Sequence, residues 1–76
     1  MNAARRKKLE KVIDQISELQ EDLQSLLEEE EEYRDNIPEN LQESDRYYKA
    51  DEACDRLGEA VYELENAAGD IREAIE

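Results

Sequence analysis

The sequence is poor in the side chains that carry out most enzyme chemistry. Its 76 residues contain no histidine, no tryptophan and no phenylalanine, and only one cysteine and one proline. Without histidine or a second cysteine, the usual nucleophile–base pairs and the usual zinc sites cannot form. Neither a glycine-rich phosphate loop nor the calcium-loop spacing of Asp, Asn and Gly is present. These absences predict a protein that is not an enzyme and that carries no cofactor and no metal.

The cysteine count and the short apolar runs also bear on location. A single cysteine, Cys54, excludes an internal disulfide, and free thiols are typical of reducing compartments. Its place in an apolar heptad column indicates a small hydrophobic residue rather than a reactive thiol. No apolar run approaches the roughly 18 residues of a membrane span, and the basic start lacks the apolar region of a signal peptide. We therefore expect a soluble cytoplasmic protein without membrane contact.

Positive charge is scarce and is concentrated at one end. The chain has 23 acids against 10 bases, a formal net charge of -13, and five of the bases lie in residues 1–11. The acidic remainder would repel phosphates, so direct nucleic-acid binding is not expected. The basic start suggests at first a tail for nucleic acid or for an anionic membrane. In an antiparallel hairpin it would instead pair with the acids of the C-terminal turn, Asp70, Glu73 and Glu76.

Apolar residues recur every seven positions in the first half of the chain. The a column holds Leu9, Ile16, Leu23 and Glu30, and the d column holds Val12, Leu19, Leu26 and Tyr33. Ile13 and Leu27 widen this apolar surface beyond a two-stranded seam, as is typical of helices in bundles. Because no glycine or proline precedes Pro38, one helix is predicted over about residues 4–34.

The chain is interrupted at Pro38, which cannot continue a helix, and residues 35–44 are predicted to form a connection. Its apolar residues, Ile37 and Leu41, are expected to fold back over the end of the core. Ser44 is a suitable N-cap for a second helix over about residues 45–76. The a column of that helix is Tyr47, Cys54, Val61, Ala68 and Ile75, and its d column is Ala50, Leu57, Leu64 and Ile71. Equal helices with a short connection predict an all-α, antiparallel two-helix hairpin in a single domain.

A third column of the second helix contains only alanine. Alanine lets another helix approach closely, and such a contact would also explain the otherwise unfavourable Gly58. We expect two hairpins to form a homodimeric four-helix bundle. The alternative is that alanine is simply the best helix former on a half-exposed surface. The candidate oligomer-interface residues are Ile13, Leu27, Ala53, Ala60, Ala67 and Ala74.

Two acidic surfaces are candidates for binding a partner. Glu28 to Glu32 are consecutive like charges that repel one another and oppose the helix dipole near a C-terminus. They favour an array for a basic protein surface, although they also fit a solvated end that maintains solubility. Tyr48 and Tyr62 share one column among acids, which is typical of interface anchors or of rings lying flat on a helix. The candidate partner-binding residues are Glu28, Glu29, Glu30, Glu31, Glu32, Tyr48, Asp51, Asp55, Glu59 and Tyr62.

The segment DNIPENLQES, followed by heptads of the EA-x-x-x-L type, carries a family resemblance. From about Glu28 onward the chain resembles small acidic helical-hairpin, coiled-coil proteins of phages and mobile elements of Gram-positive bacteria. These proteins mostly have no assigned activity, so the resemblance transfers no functional residues. It implies a small accessory protein that is borne by a phage.

Two functions fit these observations. The first is a non-enzymatic acidic binding module, an inhibitor that occupies the basic or nucleic-acid-binding surface of a host defence or DNA-handling protein and so acts as a DNA mimic. The acidic run and the outward tyrosines favour it. The second is a purely structural coiled-coil subunit whose only task is assembly. Strict heptads without a pocket favour that alternative.

Overall fold

A computed structural model describes the whole chain, Met1–Glu76. Helix α1 covers Ala3–Asp35, a short 3₁₀ turn covers Glu39–Leu41, and helix α2 covers Asp45–Ala74. The two helices pack against each other along their length, which gives a rod with extents of 59 × 15 × 13 Å. The predicted all-α antiparallel two-helix hairpin is confirmed. Neither helix contains a stretch that is long and apolar enough to cross a membrane.

Each helix begins at a side-chain cap. The Asn2 side chain accepts a hydrogen bond from the Arg5 amide at 2.7 Å, and the Ser44 hydroxyl accepts one from the Tyr47 amide at 3.4 Å. These contacts satisfy amide groups that lack partners in the first turn of a helix. The Ser44 hydroxyl also donates to the Leu41 carbonyl, so the same residue ends the connection and starts α2.

The connection closes one end of the hairpin through a single residue. Ile37 is buried, as expected from the sequence, whereas Leu41 is exposed. The expectation for Leu41 was wrong, since its side chain at the end of the 3₁₀ turn Glu39–Leu41 is 43% exposed. Pro38 precedes that turn with an extended backbone, in keeping with its missing amide hydrogen.

The seam between the helices differs from the predicted one on α1. On α2 the predicted a and d columns face α1, and Ala50, Cys54 and Ala68 are buried. On α1 the buried residues are Ile13 and Leu27, whereas the predicted d column is exposed. The face of α1 that meets α2 is thus turned by one residue position from the predicted one. Ile13 and Leu27 belong to the core of the hairpin, so their assignment to an oligomer interface was wrong.

The physical reason for this rotation lies in the polar members of the Ile13 column. Gln20, seven residues after Ile13, donates from Nε2 to the Val61 carbonyl oxygen at 3.4 Å. Arg34, seven residues after Leu27, donates from Nη1 to Asp51 Oδ1 at 3.0 Å. Both contacts cross the seam, so polar side chains in this column bind α2 instead of pointing into water.

The basic start does not pair with the acidic C-terminal turn. The ion pairs within 4 Å are Arg34–Asp35, Arg34–Asp51 and Arg56–Glu59, and none involves residues 1–11. The expected pairing with Asp70, Glu73 and Glu76 was therefore wrong for the hairpin. Each exposed pair of this kind contributes only about 0.2–1 kcal/mol, so the hairpin loses little stability without it.

Candidate functional site

One side of the hairpin presents large apolar side chains to solvent. Val12, Leu19, Leu26 and Tyr33 follow one another at seven-residue spacing along α1, with exposed fractions of 38%, 56%, 55% and 47%. They form a row about 32 Å long at 1.5 Å per residue, with successive members about 10 Å apart. Single exposed apolar residues are ordinary on protein surfaces, whereas four at regular spacing along one helix make this side a candidate interaction surface.

The alanine column of α2 lies beside this row. Arg46, one heptad before Ala53, places its guanidinium carbon 5.9 Å from the centre of the Tyr33 ring. The Tyr33 column of α1 and the Ala53 column of α2 therefore share one side of the hairpin. Ala53 and Ala60 are half-buried, and Ala67 and Ala74 are exposed. We call this surface the apolar face; its residues are Val12, Leu19, Leu26 and Tyr33 on α1 and Ala53, Ala60, Ala67 and Ala74 on α2.

The opposite side of the hairpin is polar. Its position is fixed by the Arg34–Asp51 ion pair, which joins columns that lie on the other edge of the seam from Tyr33 and Arg46. A shallow groove on this side is lined mainly by polar residues of α1: Ser17, Gln20, Glu21, Gln24, Ser25 and Glu28, with Val61 from α2. We call this surface the polar face; its residues are Glu21, Glu28 and Glu31 on α1 and Tyr48, Asp51, Asp55 and Tyr62 on α2.

The five-glutamate run is divided among three directions. Glu28 is exposed beside the groove of the polar face. Glu29 is exposed at the edge of the apolar face, since it follows Leu26 by three positions, and Glu32 is exposed three positions after Glu29, farther from that face. Glu30 and Glu31 are half-buried against α2. The run is therefore not one continuous binding array, because successive residues of a helix point about 100° apart.

The two tyrosines of α2 stand out into solvent. Tyr48 and Tyr62 are 56% and 64% exposed, so their rings do not serve as cover for the seam. The Tyr48 ring makes an edge-on contact with the Tyr47 ring, with centroids 6.1 Å apart, and this contact supports its orientation. Both tyrosines neighbour the Asp51 column at three- and four-residue spacing, which places them on the polar face.

The remaining candidate acids of α2 differ in their freedom to bind. Asp51 is half-buried and already bonded to Arg34. Asp55, between the two tyrosines, is exposed and has no ion pair, whereas Glu59 lies 3.5 Å from the Arg56 guanidinium. Tyr48, Asp55 and Tyr62 therefore lie on one surface of α2, where their exposed side chains are available to contact a partner.

Cys54 is a core residue whose surroundings oppose ionisation. Burial raises the pKa of its thiol above the ordinary cysteine value, Arg34 lowers it, and the nearby carboxylates of Glu31, Glu30 and Asp51 raise it further. The thiol therefore stays neutral, as its low exposure also favours, and it is not a poised nucleophile. The pKa of Arg34 is raised by its bonds to Asp35 and Asp51, which keeps the guanidinium charged.

No group of three or more His, Cys, Asp or Glu side chains has an arrangement that could hold a metal ion. The chain matches no protein-family model, no curated protein and no solved structure. Functional inference from the structure therefore rests on the two faces. Sequence reasoning missed the apolar row of α1 because it assigned that column to the seam. The polar bridging residues Gln20 and Arg34 were the signal that could have located it.

Proposed function

We propose that the protein is a non-enzymatic, acidic protein-binding module whose polar face engages a basic surface of its target. The observation that carries this proposal is the pair of exposed tyrosines, Tyr48 and Tyr62, on either side of the free carboxylate of Asp55. Tyrosines can contribute buried area and a hydroxyl at an interface, while the surrounding acids attract basic partners and oppose acidic ones.

The charge distribution favours a target that itself binds nucleic acid. Carboxylates in the outer columns of the two antiparallel helices form rows of negative charge, and a protein surface that binds phosphates attracts such rows. Together with the resemblance of the loop segment to phage hairpin proteins, this supports an inhibitor of a host defence or DNA-handling protein. Its place of action in this proposal is the cytoplasm, in keeping with a free and buried thiol.

A capture experiment with matched variants tests this function. The immobilised chain is exposed to host lysate beside the variant Tyr48→Ser/Tyr62→Ser and the control Leu41→Ser, which removes an exposed apolar residue outside the polar face. Quantitative mass spectrometry should identify a protein that the parent and the control retain and the double-tyrosine variant loses. Circular dichroism first establishes that all three baits are folded.

Charge variants and a competitor extend the same test. Replacing Glu21, Glu28 and Asp55 by their amides should release the captured protein at lower salt, because each exposed charge acts through a screened attraction. The control makes the same loss of charge at Glu63, Asp70 and Glu73. A short DNA duplex should displace a target that is held through its nucleic-acid site. If every bait retains the same proteins in equal amount, the polar face is not a binding surface.

The second candidate function, a structural assembly subunit, is favoured by the apolar face. It predicts a bait that assembles with itself and retains no other protein above the level of an unrelated acidic bait. The capture experiment therefore separates the two functions directly.

A further inference from the structure

We propose that the apolar face is the contact surface for a second copy of this chain, and that the α1 helices of the two copies run antiparallel in a two-fold symmetric four-helix bundle. This inference does not depend on the proposed function, since the polar face lies on the other side of the hairpin.

On the side of the apolar face, burial within the single hairpin is incomplete. The buried core consists of Ile13, Leu27, Ile37, Ala50, Cys54 and Ala68, half of which are small side chains. The leucines and isoleucines that border the apolar face are only half-buried: Leu9, Ile16, Leu23, Leu57, Leu64 and Ile71. A helical layer that is apolar on one side needs a second layer to cover it. The side of each large residue that remains wet is the side that a second hairpin would cover.

The surface area of the hairpin supports the same conclusion. A compact 8.9 kDa monomer exposes about 4,800 Å² by the usual scaling of area with mass. The hairpin exposes 5899 Å². One face, roughly 45 Å long for a 30-residue helix and 15 Å wide, offers on the order of 700 Å². That is close to the ~800 Å² per partner that a stable interface buries.

Charge selects a second copy and sets its direction. Residues 3–17 of α1 carry five bases and two acids, whereas residues 18–35 carry one base and nine acids. Two parallel α1 helices would bring like charges together at both ends. Two antiparallel α1 helices bring each basic half against an acidic half, and this attraction occurs twice because the interface is isologous.

The residues at the edge of the apolar face carry this complementarity. Lys8 lies one helical turn before Val12, and Glu29 lies one turn before Tyr33. Neither has an ion pair within the hairpin. In the antiparallel arrangement Lys8 and the adjacent Lys11 of one copy approach Glu29 and Glu32 of the second copy. The second copy thus supplies the acids that the basic start does not find in its own chain.

The first test measures mass against concentration. Light scattering and sedimentation of the purified chain should give twice the 8.9 kDa chain mass. Leu19→Glu should give a monomer, since it places a charge in the centre of the interface. The control Gln24→Glu adds the same charge to an exposed residue beside the polar groove and should remain dimeric. A parent chain that stays monomeric up to the highest soluble concentration overturns the proposal and leaves the face to a foreign helix.

The second test uses exchange of charge, so that it does not depend on the folding of one variant. Lys8→Glu/Lys11→Glu and Glu29→Lys/Glu32→Lys should each weaken the homodimer by about tenfold, because each replaces attraction by repulsion at both ends. An equimolar mixture of the two variants should recover a heterodimer of parental affinity. A chain carrying all four changes should recover the homodimer. Homodimers whose affinity is unchanged by these charge reversals would contradict the antiparallel arrangement. So would a recovered dimer in which the two α1 helices run parallel.

Discussion

Gly58 has open space on the side where a Cβ atom would stand. It lies in the Asp51 column, on the polar side of the seam, and a Cβ atom built there would have no neighbour within 4 Å. The close helix contact expected at this glycine is therefore absent within the chain. Glycine in a helix interior costs about 0.5–1 kcal/mol relative to alanine through its greater freedom in the unfolded state.

We predict that Gly58→Ala raises the free energy of unfolding by about 0.5–1 kcal/mol, since the new methyl group enters open space. Gly69→Ala, where a Cβ also has no neighbour, is the matched control and should stabilise by a similar amount. Urea denaturation followed by circular dichroism measures both. If Gly58→Ala weakens assembly while Gly69→Ala does not, a second chain packs on the Asp51 column instead of the apolar face.

Cys54 makes stability depend on alkaline pH. In the unfolded chain its thiol ionises from about pH 8.5, whereas burial raises its pKa in the folded hairpin. Between these two values the unfolded state binds fewer protons than the folded state, so the free energy of unfolding falls as pH rises. The contribution of this thiol is complete below about pH 8.5 and is lost as pH rises through the folded value.

Comparing the chain with Cys54→Ala isolates this effect. All other titratable groups are common to both proteins, so their contributions cancel in the difference. Urea denaturation from pH 7 to pH 10.5 should show a steeper loss of stability for the parent than for the variant. Parallel curves would mean that the thiol ionises equally in both states.

At the scale of the helices, most of the architecture followed from the sequence. The columns of α2, the break at Pro38 and the cap at Ser44 all depend on local pattern and on backbone chemistry, which one chain displays in full. The facing side of α1 did not follow, because its Val12 column is more uniformly apolar than its Ile13 column. Periodicity reveals which columns are apolar, but not whether each one faces its own hairpin or another chain. The array predicted from Glu28 to Glu32 is divided for a similar reason, since residues that are consecutive in the sequence do not share a helical face.

The start of α2 gives a prediction at this scale. Ser44 accepts from the Tyr47 amide and donates to the Leu41 carbonyl, so it joins the 3₁₀ turn to the helix. We expect Ser44→Ala to destabilise the hairpin by about 1 kcal/mol. Asn2→Ala removes the cap of α1 near the chain end, where the helix can fray, and should cost less. Thermal unfolding of both variants measures the difference. Equal losses of stability would show that the hydrogen bond from Ser44 to the Leu41 carbonyl adds no stability.

The hairpin separates two kinds of surface. The apolar face and the polar face lie on opposite sides of a rod only two helices thick. A chain with net charge -13 repels its own copies at long range. The basic first turns of α1 reduce that repulsion where two copies would meet. The two proposed contacts, with a target and with a second copy, therefore use separate surfaces, and separate mutations should disrupt them.

In the proposed dimer, the opposite placement of the two faces would set how many target molecules one assembly binds. Two hairpins joined through their apolar faces present their polar faces outward on opposite sides, about two helix layers apart. Such an assembly holds two target molecules at once, or two neighbouring basic sites on one oligomeric target. A target displayed in several copies would then be retained by avidity, far more tightly than one site binds alone. Dilution below the dissociation constant of the dimer would reduce that retention to the strength of a single polar face.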